Sequence, residues 1–259
     1  MKERVIAMLL RYYYAWKDAS RMLEFFFWPV IDIGFYGLIA LWGGTLSHDS
    51  VDLTRIFITA LVLWQVIYRN NIEISLNVMD EFMDHNLVNL IASPLRKSEW
   101  IISMMLSGFL KSFITICISA FVGWLFFGVN VFIIGWIFIL FLLLSIVCGW
   151  VIGFIAGGFI VYMGAKLQQL PWVVIMICAI FSAIFYPVEI LPVWLQVISF
   201  SLPMSYIFQG MRELLTTGAV SSNILWWCAA LSVIYLAIAI KFFLFMFERS
   251  RKRGFKRAT

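Results

Sequence analysis

An acidic stretch between two long apolar runs is the first place where this sequence could support chemistry. Its titratable residues are Asp80, Glu81, Asp84 and His85. Carboxylates grouped in this way can hold a magnesium ion and, through it, a diphosphate. The spacing does not fit such a site, because Val78 follows Asn77 where an aspartate would be needed, and no second aspartate motif occurs.

The motifs of nucleotide-binding and hydrolytic enzymes are also missing. No segment fits Gly-x-x-x-x-Gly-Lys-Ser/Thr, Gly-x-Ser-x-Gly, His-Glu-x-x-His or Gly-x-Gly-x-x-Gly. The four cysteines form no Cys-x-x-Cys pair and lie in apolar runs away from the histidines, so the sequence indicates neither a disulfide nor a metal site. We therefore expect no catalytic residue, no cofactor or metal bound by this chain, and no enzymatic activity of its own.

Composition places the chain in a membrane. With 63% hydrophobic residues, 13% charged residues and 25 phenylalanines among 259 residues, it cannot bury its apolar surface in a water-soluble domain. A helix needs about 20 residues to cross a hydrocarbon core about 30 Å thick. Runs of that length predict six transmembrane helices, over 23–46, 55–76, 101–128, 132–163, 168–188 and 224–247. The expected fold class is an all-α integral membrane protein with one domain, 1–259.

The first 22 residues predict an amphipathic helix at the membrane surface. Apolar residues recur every three or four positions between basic ones, at Val5, Leu9, Tyr12, Tyr13 and Trp16. The alternative is that this segment only begins the first span. Lysine and arginine concentrate here, in the loop 77–100 and in the tail 248–259, so the positive-inside rule places both termini in the cytoplasm and requires an even number of crossings.

The segment 189–223 is nearly as apolar as a span, but it carries prolines and charged residues. A seventh crossing would put the basic tail outside, so the segment must turn back. Pro192 and Pro203 each suit the first turn of a helix and disfavour helix in the residue before. These signals predict two short helices, over about 192–200 and 203–216, the second ended by Gly218. We expect them to form an extracellular re-entrant or interfacial hairpin.

The loop 77–100 predicts a second short amphipathic helix, from Asp80 to Ala92. Its apolar stripe consists of Leu87, Leu90 and Ile91, and Pro94 stops the helix. A helix this short is not stable alone and usually needs a surface to dock against. The alternative is that it lies on the lipid headgroups, which its acidic residues disfavour because anionic lipid would repel them.

Charged residues inside the predicted spans should have partners or functions, because burying a charge in lipid is costly. Arg69 and Glu73 lie four residues apart in the second span, and we expect them to pair, either to brace the span or to act in gating. Asp32 is flanked by apolar residues, so we expect it to face a subunit interface or a wet path. Lys111 and Lys241 lie near enough to cytoplasmic ends to reach the headgroups.

Small residues at a spacing of four allow helices to approach closely. In the fifth span these are Cys178 with Ser182, and Ala179 with Ala183; in the fourth they are Gly149, Gly153 and Gly157. Either stripe could pack within one subunit or between two subunits. For the glycines we expect packing within the subunit.

Two separated motifs on this frame resemble those of type-2 ATP-binding-cassette (ABC) export permeases. One is Asn86-Leu-Val-Asn-Leu-Ile-Ala-Ser-Pro-Leu-Arg-Lys-Ser-Glu-Trp100, which follows the second helix. The other runs from Phe185-Tyr-Pro-Val-Glu-Ile-Leu-Pro192 through Leu202-Pro-Met-Ser-Tyr206 to Gly210-Met-Arg-Glu213. The resemblance covers essentially the whole chain, and the absence of a large extracellular domain separates it from the macrolide-exporter type.

The resemblance implies a homodimer around a translocation path, driven by two separate cytosolic ATPases that hold the ATP and magnesium. It implies a coupling helix over about 80–95, with ATPase contacts at Glu81, Asp84, Asn86, Leu87, Leu90 and Pro94. It implies an outer gate in the hairpin, at Pro187, Glu189, Pro192, Pro203, Arg212 and Glu213. Candidates for the dimer interface or the path are Asp32, Cys178, Ala179, Ser182 and Ala183.

The resemblance also implies a bacterial plasma (inner) membrane, surrounding lipid, and no nucleic-acid partner. Relatives of this size export amphipathic molecules, and we rank a lipid-linked glycan above a hydrophobic drug. The first alternative is a passive channel or secondary transporter, for which we would expect inverted repeats or broken helices at mid-membrane. Neither is visible in the sequence. A membrane-embedded transferase is the third possibility.

Overall fold

The computed structural model describes residues 2–15, 19–46 and 50–254, and every regular element within these ranges is a helix. The α-helices are α1 (Lys2–Ala15), α2 (Ala19–Leu46), α3 (Ser50–Met83), α4 (Leu87–Ala92), α5 (Lys97–Phe127), α6 (Trp136–Met163), α7 (Leu170–Phe181), α8 (Val193–Ser201), α9 (Pro203–Thr217) and α10 (Ser222–Lys252). Short 3-10 turns cover Val131–Ile134, Gly164–Leu167 and Val188–Ile190. The predicted all-α class is confirmed.

Among the described residues, four stretches are long and apolar enough to cross a membrane: Arg21–Thr45, Lys97–Phe127, Trp136–Met163 and Ser222–Lys252. They coincide with the first, third, fourth and sixth predicted spans. The fifth prediction, one helix over 168–188, is wrong. α7 ends at Phe181, so its 12 residues extend only about 18 Å, and the backbone turns at Ala183, where φ is 51°. The count of six crossings stays a prediction.

The second predicted span lies within α3, at the centre of the bundle, where α3 contacts α2, α5 and α6. Residues 58–75 of this helix are buried without interruption. The buried stretch includes the polar residues Gln65, Arg69, Asn70, Asn71, Glu73 and Ser75. Because protein rather than lipid surrounds these side chains, α3 can carry more polar groups than the helices around it.

The contact between α3 and α6 depends on glycines. A Cβ added at Gly149 would lie 2.6 Å from the Ile67 carbonyl oxygen, and one added at Gly153 would lie 2.8 Å from Ile74 Cβ. At Gly157, the third glycine of the stripe, the added atom would lie 3.3 Å from Val78. This confirms the expectation that these glycines pack within one subunit.

The alternating directions of the long helices give the bundle two ends. One end, here called the α4 end, holds α1, α4, the start of α5 and the end of α10. The opposite end, here called the hairpin end, holds α8 and α9. The two short helices predicted from Pro192 and Pro203 are confirmed, and Gly218 ends α9 with a φ of 77°. Their depth in a membrane stays a prediction.

Of the helix predicted over residues 1–22, α1 covers Lys2–Ala15, and the residues from Ala19 onward belong to α2. Of the predicted stripe, Val5 and Tyr12 are buried and Tyr13 is exposed, while Trp16 lies outside the described residues. Met8 joins the buried face, and α1 packs with this face on α5. The buried face of α1 therefore packs against α5 of the same chain.

Candidate functional site

The predicted coupling segment is two helices joined by a tight turn. α3 continues to Met83, and α4 begins only at Leu87, so the single helix expected from Asp80 to Ala92 is wrong. His85 adopts a positive φ of 53°, which breaks the helix. The Asn86 amide nitrogen donates to the Glu81 carbonyl at 3.0 Å, and its side chain donates to the Glu81 carboxylate at 2.5 Å. These bonds fix the direction in which α4 leaves α3.

Two of the predicted ATPase contacts face inward. The Glu81 side chain is buried, and Arg11 Nε from α1 lies 2.9 Å from its carboxylate. Leu87 is buried in a cluster with Met8, Tyr12 and Phe82. Glu81 lies beyond the predicted span 55–76, and its burial raises the pKa of the carboxyl group above the usual value, against the opposing effects of the Asn86 hydrogen bond and Arg11. Glu81 and Leu87 therefore fix α4 against α1 and the end of α3.

Other residues form the outer surface of this region. Met83, Asp84, Val88 and Ile91 are exposed and are here called the α4 surface. Of the remaining predicted contacts, Asn86 and Leu90 are partly exposed, and Pro94 is exposed. The sequence pattern identified the correct segment, but of its predicted stripe Leu87 is buried and Ile91 is exposed, and the exposed Val88 was not among the predicted contacts.

Arginines of α1 and α2 contact residues on either side of α4. The sequence analysis did not predict these contacts. Arg21 forms two hydrogen bonds with the Asp80 carboxylate, at 2.7 and 2.8 Å. Arg4 donates to the Pro94 carbonyl at 2.6 Å and lies 3.6 Å from Glu99. The signal was available, because arginines and carboxylates of opposite sign are predicted to lie at the same end of the bundle.

A groove separates α1 from α4. Its volume is about 300 Å³, and its walls include Arg4 and Arg11 from α1 and Asn89 and Leu90 from α4. The Trp100 indole of α5 donates to the Tyr12 hydroxyl of α1 at 2.9 Å, which joins these two helices. The groove and the α4 surface together form a partly apolar patch to which a second protein could bind.

The charged residues inside the bundle have other partners than those expected. Glu73 binds Lys111 Nζ at 2.6 Å and Ser107 Oγ at 2.7 Å, both from α5. Arg69 instead donates to the Phe25 carbonyl at 3.2 Å and lies over the Phe25 ring. The predicted Arg69–Glu73 pair is wrong, because the two side chains leave α3 toward different helices. The expectation that Lys111 reaches the headgroups is also wrong, because its side chain is mostly buried and pairs with Glu73 inside the bundle.

The candidates for a dimer interface are mostly engaged within the chain. Asp32, expected to face a subunit interface or a wet path, accepts a hydrogen bond from Gln65 Nε2 of α3 at 2.6 Å. Ser182 and Ala183 are fully buried, and therefore present no surface to a second subunit in this conformation. Cys178 and Ala179 are partly buried against the core.

The predicted gate residues come together at the hairpin end. Arg212 Nη1 donates to the carbonyls of Ala183 and Ile184, at 2.8 and 3.1 Å, which holds the turn after α7. Glu213 accepts from the Ser221 hydroxyl at 2.5 Å at the start of α10. Both residues, with Pro187 and Glu189, line an open cavity of about 380 Å³. Pro192 immediately precedes α8 and Pro203 is the first residue of α9; neither is among the residues that line this cavity.

A family model for the ABC-2 type transporter matches residues 8–216. The chain belongs to the ABC-2 type transporter family. The match runs from α1 to α9, so it includes the α4 surface and both short helices of the hairpin end. This ABC-2 protein is the transmembrane permease component of an ABC transporter, and a search of curated proteins gives no match.

Proposed function

We propose that this ABC-2 permease belongs to an exporter driven by two copies of a separate cytosolic ATPase that dock on the α4 surface. The observation that carries the proposal is the exposure of Met83, Val88 and Ile91 at a turn that is fixed by buried contacts. α4 has only six residues, so its position depends on the chain around it. An apolar patch held in this way at a membrane surface is typical of a binding site for another protein.

The proposed orientation places the α4 end in the cytoplasm. Basic residues are concentrated there, at the start of α5 and in the last turn of α10, where Arg249, Arg251 and Lys252 lie. The positive-inside rule then places both termini in the cytoplasm, with six crossings and the hairpin end outside. The proposed location is a bacterial plasma membrane.

A mechanism follows from the contacts inside the chain. Closure of two ATPases on ATP and magnesium would move α4, and the buried contacts of Glu81 and Leu87 would pass that movement to α3 and α1. Glu73 and Lys111 join α3 to α5, so the movement would shift several long helices together. In a homodimer, such a shift opens a route between subunits, with the α8–α9 hairpin as the outer gate.

The proposed substrate is an amphipathic molecule, with a lipid-linked glycan ranked above a hydrophobic drug. At the hairpin end, the Phe185 ring stacks on Tyr36 and Phe57, with centroids 4.9 and 5.4 Å apart. All three side chains are partly exposed. Flat aromatic faces of this kind can stack on sugar rings, which supports the glycan.

The proposal is tested by searching the neighbouring reading frames for a soluble P-loop protein, and by co-purification of that protein with the permease followed by an ATPase assay. We expect Val88→Asp and Ile91→Asp each to abolish binding of that protein and stimulation of its ATPase activity, because a carboxylate would be buried in the apolar centre of the contact. Ile190→Asp is the matched control, since Ile190 is also an exposed apolar residue but lies at the hairpin end. Transport that persists without the ATPase would instead favour a channel or a secondary transporter.

A further inference from the structure

We infer that the ATPase partner meets this permease with an acidic surface arranged around an apolar centre. The inference rests on the proposed function, in which the α4 surface is the docking site. It also reverses the charge expected from sequence, where the carboxylates of this region were the predicted contacts. The observation behind it is the direction of the ion pairs around α4.

On the α1 side of α4, two carboxylates lie much deeper than the arginines they pair with. The side chain of Glu81 is 1% exposed, and that of its partner Arg11 is 43% exposed. The side chain of Glu99 is 3% exposed, and that of Arg4 is 44% exposed. The negative ends of both pairs are therefore hidden within the chain, while the positive ends face outward and line the groove between α1 and α4.

The same arrangement recurs on the α10 side. Lys97 and Arg251 both pair with Glu248; each cation is 46% exposed, whereas the carboxylate is 29% exposed. Arg96 is also exposed, and it lines the same recess as Ile91 of the α4 surface. Cations therefore flank the apolar centre of the docking site on both sides.

A partner that covers this surface must match both features. Charged groups at the rim of an interface steer association and exclude partners of the wrong charge. The rim here is cationic, so the matching rim of the ATPase should carry aspartate and glutamate around an apolar contact for Val88 and Ile91. Asp84 is the exception: it lies 3.8 Å from Arg11, but its side chain is 65% exposed, so it should also meet a cation on the partner.

Anionic lipid headgroups are the other acidic surface available at this depth. Two features favour the protein partner over lipid. The exposed carboxylate of Asp84 is part of the α4 surface and would repel a lipid phosphate. In addition, α4 is too short to embed an apolar face in a bilayer by itself, since interfacial helices bind through a long apolar stripe.

The test measures binding of the P-loop ATPase to the detergent-purified permease at low and at high salt. We expect Arg96→Glu, and separately Arg251→Glu, to weaken binding about fivefold to tenfold at low salt, mainly through a slower association rate, with the difference shrinking as salt rises. Arg253→Glu is the matched control. Arg253 is also a cation at the end of α10, but it lies over the Tyr162 ring of α6. We expect the affinity of the Arg253→Glu permease for the ATPase to stay within about twofold of wild type.

Each outcome decides the matter. Unchanged or tighter binding of both charge-reversed variants would overturn the acidic-partner inference and leave the proposed function intact. Unchanged ATPase binding together with lost binding to phosphatidylglycerol vesicles would assign the cations to lipid. The proposed function would be overturned as well if the wild-type permease failed to bind the ATPase although a thermal unfolding transition showed the preparation to be folded.

Discussion

Arg11 and Glu81 form the contact on which the position of α4 depends. We expect Arg11→Gln to destabilise the permease by about 1–2 kcal/mol, because it leaves a buried carboxylate with Asn86 as its remaining hydrogen-bond donor. Glu81→Gln should cost less, since the neutral amide can still accept from Asn86. Thermal unfolding in detergent, followed by tryptophan fluorescence, measures both effects.

The loss caused by Arg11→Gln should also depend on pH. Burial already raises the pKa of Glu81, and removal of the neighbouring arginine raises it further. A carboxyl group with a raised pKa in the folded state gives stability at low pH that is lost as pH rises through that pKa. The variant should therefore lose more stability at about pH 8 than at about pH 5. An equal loss at both values would show that Arg11 does not neutralise this carboxylate, and Arg253→Gln should show no such dependence.

The sequence showed which charged residues would lie inside the bundle, but it did not show which residues they would pair with. Four-residue spacing correctly placed Arg69 and Glu73 on neighbouring turns of α3, but it could not show that Lys111 would approach from α5. In the same way, the acidic character of Glu81 was visible, while its burial beneath Arg11 depends on where α1 packs. Contacts between helices that are distant in sequence decide such partners.

At the scale of elements, the crossing of α3 and α6 should be the least tolerant of change. Gly149→Ala would bring a methyl group to 2.6 Å from a backbone oxygen of α3, which cannot move alone. We expect this overpacking to cost about 1–3 kcal/mol and to lower the thermal unfolding temperature. Gly34→Ala on α2 is the matched control, because an added Cβ there meets nothing within 4 Å.

Helix propensity makes the control sharper. Alanine is the better helix former by about 0.5–1 kcal/mol, so Gly34→Ala should leave stability unchanged or raise it. Loss of stability in both variants would mean that helix propensity does not determine the effect of the substitution at Gly34. It would also mean that the α3–α6 contact is no less tolerant of an added methyl group than an open position on α2. Loss in Gly149→Ala alone would confirm that the glycine stripe serves packing within the subunit.

Elements bounded by local signals were predicted well, and elements set by packing were not. Pro192, Pro203 and Gly218 fixed the ends of α8 and α9 because proline and glycine act on the backbone at their own positions. α7 was predicted too long, since its apolar composition continues past Phe181 although the chain turns there. That turn is held by Arg212, which is distant in sequence and could not be anticipated from the local pattern.

At the scale of the whole molecule, α3 and α7 are the two helices that separate the four clear membrane-crossing stretches from the predicted six. α7 is short, whereas α3 is long but carries a polar buried stretch that other helices surround. A bundle built around such a helix can pass a movement from one end to the other, because its central member contacts α2, α5 and α6. The α4 surface lies at one end of this helix and the aromatic stack at the other.

Which end faces the cytoplasm decides whether that movement can be driven by ATP. In a Cys117→Ser background, which removes the exposed cysteine of the described residues, we expect an impermeant maleimide added to intact cells to label the Ile190→Cys variant. The Ala92→Cys variant, exposed at the α4 end, should be labelled only after the cells are permeabilised. The reason is the excess of lysine and arginine at the α4 end, which opposes its translocation across the membrane. The opposite labelling pattern would turn the α4 surface away from every cytosolic ATPase, and neither the proposed docking site nor its cationic rim could then serve coupling.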